Sequence, residues 1–208
     1  MEEDREVDLH QLDKTIDDLV LSNQYQKAKE ILVDEYESVK KAGDKKSVDA
    51  VLGLLVFVCG ASDPPCLTEG RDFCILREAN IGTAYNALQT ALFEYYGTGN
   101  YANSLQKLQE ARDKGEREGD SRTTYSALGH LGRAYLEIGK KNEAAEVIRA
   151  MEQSLSNREA FVVGDETVFL EAARDKGLEL EAVKRLASRL APLCHDPTFK
   201  RRLENLAT

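Results

Sequence analysis

The sequence lacks a long apolar run and a dense set of cysteines. Its longest apolar stretch, residues 51–59, is far shorter than the ~20 residues that span a bilayer. Four cysteines among 208 residues do not resemble the disulfide framework of a small secreted scaffold, so we expect reduced thiols. Residues 1–9 have neither a cationic start nor an apolar core, which predicts that they are not a signal peptide. These absences predict a soluble, cytoplasmic protein without a membrane partner.

Concentrated basic charge is also missing. The formal net charge is -9, whereas a nucleic-acid surface needs a strong positive field. The one local basic cluster, Lys200, Arg201 and Arg202, lies beside Glu204 and is interpreted as a solvated helix face. We therefore expect no nucleic-acid partner. The chain has no low-complexity tract either, which predicts ordered structure nearly throughout.

A near-periodic series of turn-forming residues is the most informative feature that is present. Intervals of 37, 39, 40 and 38 residues separate Asn23, Gly60, Gly99, Gly139 and Gly177. Each of the five lies between two amphipathic helical patterns, and both residue types tolerate the left-handed conformation that ends a helix. Self-similarity at a period of about 35 to 45 residues indicates a helical solenoid, in which stacked helix pairs bury their apolar faces.

The clearest helix pair surrounds Gly139. Apolar and small residues recur three or four positions apart on each side of it, as on one buried helix face. They are Leu128, Leu131, Gly132 and Tyr135 before the glycine, and Ala144, Ile148 and Met151 after it. The stretch LGRAYLEIGKKNEAAEVI resembles a tetratricopeptide repeat, although Leu128 replaces the usual tryptophan and Ser156 replaces the usual terminal proline.

This resemblance implies an all-α fold: a right-handed α-α superhelix of about five tetratricopeptide-like helix pairs plus a C-terminal capping helix. The predicted units cover residues 9–45, 46–84, 85–124, 125–162 and 163–195, and the cap covers residues 196–208. We expect them to form a single domain over residues 1–208. In the cap, the stretch FKRRLENL supplies the polar outer face that a terminal unit needs.

The second unit is the least regular. Its first helical pattern ends near Gly60, and Asp63, Pro64 and Pro65 follow. Proline is tolerated in a first helical turn and aspartate is a good N-cap, so one interpretation is a helix over residues 64–79. The inward side chains of that helix would be Leu67, Cys74 and Ile75. A loop insertion followed by a shorter helix is the alternative.

In the family that this chain resembles, the first helix of each pair lines a concave binding surface. Carried over to this sequence, the resemblance places ten residues on that surface. They are Leu54, Phe57 and Val58 in the second unit, Asn86, Gln89, Phe93 and Tyr96 in the third, and His130, Arg133 and Glu137 in the fourth. Two interpretations of the apolar stretch 51–59 stay open: neighbouring helices or a partner subunit cover it, or it contributes to an apolar groove for a peptide.

The reactive side chains form no arrangement that predicts catalysis. Cys59, Cys66 and Cys74 are seven and eight residues apart, unlike the paired CxxC of many zinc sites. Cys59 and Cys74 are interpreted as small core side chains, whereas a bridge between Cys59 and Cys66 would need an oxidising compartment. The three histidines lie in separate repeats, and no phosphate-binding loop, nucleophile elbow or HExxH motif is present. We predict no catalytic residue, no metal and no cofactor.

The predicted function is a protein- or peptide-binding scaffold that uses the concave surface, and not an enzyme. The alternative is the ligand- or peptide-sensing domain of a signalling regulator, in which an occupant changes the superhelical pitch. Asp13, Asp17 and Asp18 would favour a basic partner segment, unless they are merely solvated. The expected partner is another protein or a peptide, and a homo-oligomer is left open.

Overall fold

The computed structural model describes residues 8–99, 101–155 and 164–208. Within these ranges the protein is all-α, with eleven α-helices, one short 3-10 helix and no strand. The predicted all-α fold class is thereby confirmed. The helices are α1 (Leu9–Leu21), α2 (Tyr25–Ala42), α3 (Lys45–Ala61), α4 (Leu67–Asn80), α5 (Ala84–Thr98), α6 (Tyr101–Glu118), α7 (Ser121–Glu137), α8 (Lys141–Ser154), α9 (Asp165–Asp175), α10 (Leu180–Leu190) and α11 (Pro197–Ala207), and the 3-10 helix is Ala191–Leu193. Among the described residues, no helix is both long enough and apolar enough to cross a membrane.

Several helices begin at an aspartate that caps the free N–H groups of the first turn. The carboxylate accepts hydrogen bonds from backbone N–H groups two or three residues ahead, and such a cap stabilises a helix by about 1 kcal/mol. These caps are Asp8 for α1, Asp44 for α3, Asp120 for α7 and Asp196 for α11. The helix predicted after Pro197 is therefore present, and it starts directly behind its cap.

Four of the five predicted turn positions have the expected left-handed backbone. They are Asn23, Gly99, Gly139 and Gly177, with φ angles of 56°, 61°, 78° and 67°. Gly60 is the exception, because it lies inside α3, which continues to Ala61. A Cβ atom at Gly60 would lie at an ordinary contact distance of 3.9 Å from the ring of Phe93, so neither the backbone conformation nor the space requires glycine there. Two further left-handed glycines, Gly43 and Gly119, end α2 and α6 and were not among the predicted positions.

The connection between α3 and α4 differs from the preferred interpretation. Pro64 and Pro65 precede the helix, the Asp63–Pro64 peptide bond is cis, and Cys66 occupies the N-cap position in place of Asp63. The helix starts three residues later than predicted because Cys66 N–H donates to the carbonyl of Cys59, at the end of α3. Of the three side chains predicted to point inward, Cys74 is buried and Leu67 is half-buried, whereas Ile75 is 45% exposed.

The chain divides into two compact units between Thr98 and Gly99. In the first unit, α3 packs against α1, α2 and α4, and α4 also packs against α5. The apolar stretch of α3 supplies much of the core together with α1 and α2. The buried members of this core are Ile16, Ala28, Leu32, Val39, Val48, Val51, Leu52, Leu55 and Val58. Burying one such Leu, Ile or Val side chain contributes about 1.5–3 kcal/mol, so this core explains why the apolar stretch has no polar face.

In the second unit, α7 is the central helix and packs against α6, α8 and α9. All residues from 123 to 132 are buried, although many of them are small or polar. The small residues allow close helix contacts: a Cβ atom at Gly132 would lie 2.3 Å from the ring of Phe169 on α9. The position of Ser156 and the boundary between the fourth and fifth predicted units lie outside the described residues. The single-domain organisation over residues 1–208 stays a prediction.

Candidate functional site

The ten residues predicted for the concave surface lie on three helices. Leu54, Phe57 and Val58 are on α3, Asn86, Gln89, Phe93 and Tyr96 are on α5, and His130, Arg133 and Glu137 are on α7. The first seven belong to the first compact unit, and the last three belong to the second. Burial separates them further, because Val58, Asn86 and His130 are almost fully enclosed whereas Phe57 and Tyr96 are exposed.

One stripe of α3 faces α4 and α5. Spacings of four, four and three residues place its members on one side of the helix, and they are Asp49, Gly53, Phe57 and Gly60. A Cβ atom at Gly53 would lie 3.1 Å from Cζ of Arg77 on α4, and one at Gly60 would lie 3.9 Å from the ring of Phe93 on α5. Phe57, in the middle of the stripe, therefore lies between the guanidinium of Arg77 and the ring of Phe93.

Arg77 organises the polar end of this stripe. Its Nε and Nη2 atoms donate to the two carboxylate oxygens of Asp49 at 3.1 and 3.0 Å, and Nη1 donates to Oε1 of Gln89 at 2.6 Å. The guanidinium also lies 5.6 Å from the centre of the Tyr85 ring. Both partners of the ion pair are largely buried, with side-chain exposures of 14% for Arg77 and 21% for Asp49. The positive charge is thus already neutralised within the protein.

Asn86 is committed to the interior. Its Nδ2 atom donates to Oδ1 of Asp49 at 2.9 Å and to the carbonyl of Ile81 at 2.6 Å, and its exposed fraction is 2%. It connects α5 to α3 and to the chain that leads into α5. Asn86 therefore positions Asp49, and it has almost no exposed surface with which to contact a partner.

The apolar end of the stripe is built around Phe93. A Cβ atom at Gly70 on α4 would lie 2.1 Å from the Phe93 ring, so the ring fits only because position 70 has no side chain. Phe57 lies on the same stripe of α3 as Gly60, and Tyr96 lies one helical turn beyond Phe93 on α5. The two residues are 46% and 51% exposed. We call the surface formed by Phe57, Gln89, Phe93 and Tyr96, with Arg77 at its polar end, the α3–α5 face.

Leu54 and Val58 lie on another side of α3. Leu54 packs against the core cluster that contains Ile16 and Leu32, and Val58 is a member of that cluster. Both therefore support the packing of α3 on α1 and α2. Sequence reasoning missed Arg77, because its contacts with Asp49 and Gln89 depend on α4 lying between α3 and α5.

In the second unit, His130 pairs with the first residue of α9. His130 is buried, and its Nε2 atom lies 3.2 Å from Oδ2 of Asp165. The hydroxyl of Ser126 donates to the same carboxylate oxygen at 3.1 Å. Burial by itself raises the pKa of the Asp165 carboxyl, but the hydrogen bonds and charge of His130, then Ser126 and the charge of Arg133, hold that pKa below its ordinary value.

This Ser–His–Asp cluster does not have the geometry of a nucleophilic triad. In such a triad the serine hydroxyl donates to the histidine, which in turn is oriented by the carboxylate. Here Ser126 and His130 both point at Asp165, so the hydroxyl proton is committed to the carboxylate. A Cβ atom at Gly129 would lie 3.0 Å from the backbone carbonyl carbon of Asp165. This close approach of α7 and the start of α9 supports a structural role for the cluster. The cluster attaches the start of α9 to α7.

The thiols differ in their surroundings. Burial raises the pKa of Cys59 to about 11 and that of Cys74 to about 12, so both thiols hold their protons at neutral pH. Cys66 is only half-buried. Among the described residues, no group of histidine, cysteine or acidic side chains has the arrangement of a metal site.

No model of a known protein family matches this sequence, and no curated protein shows significant similarity to it. The α3–α5 face combines exposed aromatic side chains, a half-buried amide and an internally neutralised guanidinium.

Proposed function

We propose that this protein is a protein- or peptide-binding module, built as a tetratricopeptide-like series of helix pairs, and that the α3–α5 face is its contact surface. The observation that carries this proposal is the exposure of two large aromatic side chains of the first unit, Phe57 on α3 and Tyr96 on α5, together with the half-buried Phe93 on α5. Large aromatic side chains on an open surface are typical of sites that become covered by a partner.

The packing within each unit supports the repeat-like arrangement. In the first unit α1 contacts α3, and in the second unit α7 contacts α9 while α8 contacts α10. These are contacts between corresponding helices of successive pairs, which is how helical repeats stack. Left-handed residues at Asn23, Gly139 and Gly177 close three of the pairs.

Two members of the α3–α5 face, Gln89 and Phe93, are held in place before any partner arrives. Phe93 is fitted against Gly70 and Gly60, and Gln89 is fixed by its hydrogen bonds to Arg77 and to the hydroxyl of Tyr85. A preorganised surface loses little side-chain entropy on binding, which favours affinity. The neutralised charge of Arg77 favours an uncharged, apolar partner segment over an acidic one.

The proposal is tested by selecting peptides from a random display library with the full chain and measuring their affinity by calorimetry. Phe57→Ala and Tyr96→Ala should each weaken a selected peptide at least about fivefold, which corresponds to the loss of about 1 kcal/mol expected at an anchor. Ile75→Ala is the matched control, because Ile75 is similarly exposed but lies two residues from Arg77 and therefore on the opposite side of α4.

The outcome also separates the two functional classes. A binding module predicts that hydrogen exchange slows mainly in α3 and α5 when the peptide is bound. Slowing that extends through the helix pairs of both units would favour the ligand-sensing alternative. Unchanged peptide affinity in both aromatic variants would exclude the α3–α5 face as the contact surface.

A further inference from the structure

The junction between α3 and α4 contains a small cleft that the proposed function does not use. Two cysteines lie at this cleft, one buried and one half-buried. The lining residues are Tyr25, Gln26, Lys29, Val58, Cys59, Ser62 and Cys66. Of the other two cysteines, Cys74 is buried on α4, where its thiol interacts electrostatically with that of Cys59, and Cys194 is buried in the second unit.

The backbone holds Cys59 and Cys66 close together. The N–H of Cys66 donates to the carbonyl of Cys59 at 2.9 Å. This bond makes the two residues direct neighbours across the helix junction, both line the same cleft, and the two thiols are close enough to interact electrostatically. A disulfide requires this kind of proximity.

Ser62 supports the same geometry. Its hydroxyl oxygen accepts a hydrogen bond from Cys66 N–H at 3.1 Å and lies 3.0 Å from the carbonyl of Cys59, to which it can donate. The same oxygen lies 3.4 Å from Sγ of Cys66. The thiol of Cys66 is thus held at the cleft on the side of Cys59.

A cation lies at the other side of the cleft. The Lys29 ammonium is 2.9 Å from Glu69 Oε2, and this hydrogen bond raises the pKa of Lys29 against the opposing effect of burial. Lys29 therefore stays protonated at neutral pH, and its charge acts on both thiols of the cleft. A nearby ammonium stabilises the anionic sulfur that forms when a thiol reacts.

We infer that Cys66 is an oxidation site and that Cys59 is its resolving thiol, so that a peroxide converts the pair into a disulfide. The Cys66 sulfur attacks one oxygen of hydrogen peroxide, the O–O bond breaks, and a sulfenic acid and one water are formed. The Cys59 sulfur then attacks the Cys66 sulfur, the S–O bond breaks, and the S–S bond forms with release of a second water. Two thiols are oxidised and one peroxide is reduced to two waters.

The full chain carries its own controls for this inference. Cys74 has no exposed surface and a pKa raised to about 12, and Cys194 is buried with its thiol 3.5 Å from the carbonyl of Asp196. Both should stay reduced under conditions that oxidise the cleft pair. The oxidation site is separate from the anchors of the α3–α5 face, so its test does not depend on the proposed function.

The experiment treats the reduced full chain with hydrogen peroxide, denatures it and labels the remaining thiols with a maleimide. Labelling should fall from four thiols to two, and return to four after reduction. Proteolysis before Asp63 separates the two cysteines, so the disulfide appears as two joined peptides lighter by two hydrogens. In Cys59→Ser, a sulfenic acid at Cys66 should be trapped by dimedone, which requires no disulfide.

Two results would overturn the inference. One is full labelling of Cys66 in the wild-type chain after peroxide treatment, which needs no variant and so does not depend on the folding of a mutant. The other is a disulfide that joins Cys66 to Cys74 or Cys194, or to another chain, in place of Cys59.

Discussion

The guanidinium of Arg77 lies directly against the backbone of Gly53, where a side-chain carbon would be only 3.1 Å from its Cζ atom. This contact places a charged group of α4 into the gap between α3 and α5, where Asp49 and Gln89 hold it. The polar end of the α3–α5 face therefore depends on Arg77, which belongs to α4, the helix between α3 and α5. Four predictions follow from this packing and from the cluster in the second unit.

The ion pair between Arg77 and Asp49 should stabilise the first unit. Arg77→Met keeps most of the side-chain length but leaves the largely buried carboxylate with fewer partners, so we expect a loss of about 1–3 kcal/mol in unfolding free energy. Urea denaturation of Arg77→Met, Asp49→Asn and the double variant measures this. The loss in the double variant should be smaller than the sum of the single losses, and simple additivity would contradict a coupled pair.

The contact between Gly70 and Phe93 should be sensitive to one added methyl group. In Gly70→Ala the new carbon would lie 2.1 Å from the Phe93 ring, so the ring must leave its present position, and we expect the free energy of unfolding to fall by about 1–3 kcal/mol. Gly97→Ala is the matched control on α5, because its new carbon would be at an ordinary 3.5 Å from Leu67. Thermal unfolding should show the control within about 1 kcal/mol of wild type. Equal effects of the two substitutions would contradict the close fit.

The exposed aromatic residues should contribute little to folding. Phe57→Ala and Tyr96→Ala should each lower the unfolding free energy by less than about 1 kcal/mol, because about half of each residue is already in water. Phe93→Ala should cost about 2–3 kcal/mol, because the ring is packed against Gly70. Chemical denaturation distinguishes the two cases. A large loss in the Phe57 variant would mean that its ring is a core element and not a surface anchor.

The carboxylate of Asp165 should make the second unit sensitive to acid. Its pKa in the folded protein is lowered from 3.8, so its contribution is present above the unfolded-state pKa and is lost as the pH falls through the folded-state value. Asp165→Asn should lower the free energy of unfolding by about 1 kcal/mol at neutral pH, a value kept small because the carboxylate is partly exposed to solvent. At strongly acidic pH the same substitution should change it by almost nothing. Unfolding free energies of both chains measured from about pH 6 down to pH 2 test this. If the unfolding free energies of the two chains fell in parallel as the pH is lowered, Asp165 would not be the source of this acid sensitivity.

The sequence predicted the helix pairs well where a turn needs a left-handed residue, as at Asn23 and Gly139. Near Gly60 the first helix of the second unit ends as predicted, at Ala61, but the backbone of Gly60 is not left-handed, because the period marks a helix end and does not specify the turn that follows it. Gly43 and Gly119 also end helices with a left-handed backbone, but they do not fit the period and were therefore missed.

The candidate site was predictable only in part. The resemblance to a helical repeat placed Phe57 and Tyr96 on a concave binding surface. Both residues are exposed, and their place on such a surface stays a prediction. The burial of His130 could not be foreseen, because α7 is enclosed through small residues such as Gly129 and Gly132 and not through a conspicuous apolar pattern. Arg77 acquires its role from three-dimensional packing, which no local pattern on α4 reveals.

The fit of Phe93 against Gly70 also limits how this surface can diverge. A related chain with a larger residue in place of Gly70 should carry a smaller side chain in place of Phe93, because only one of the two positions can fill the space between α4 and α5. The two positions should then vary together across homologues, while neighbouring exposed positions such as Tyr96 vary independently. Paired substitution at these two sites would be the route to a binding surface with a new shape.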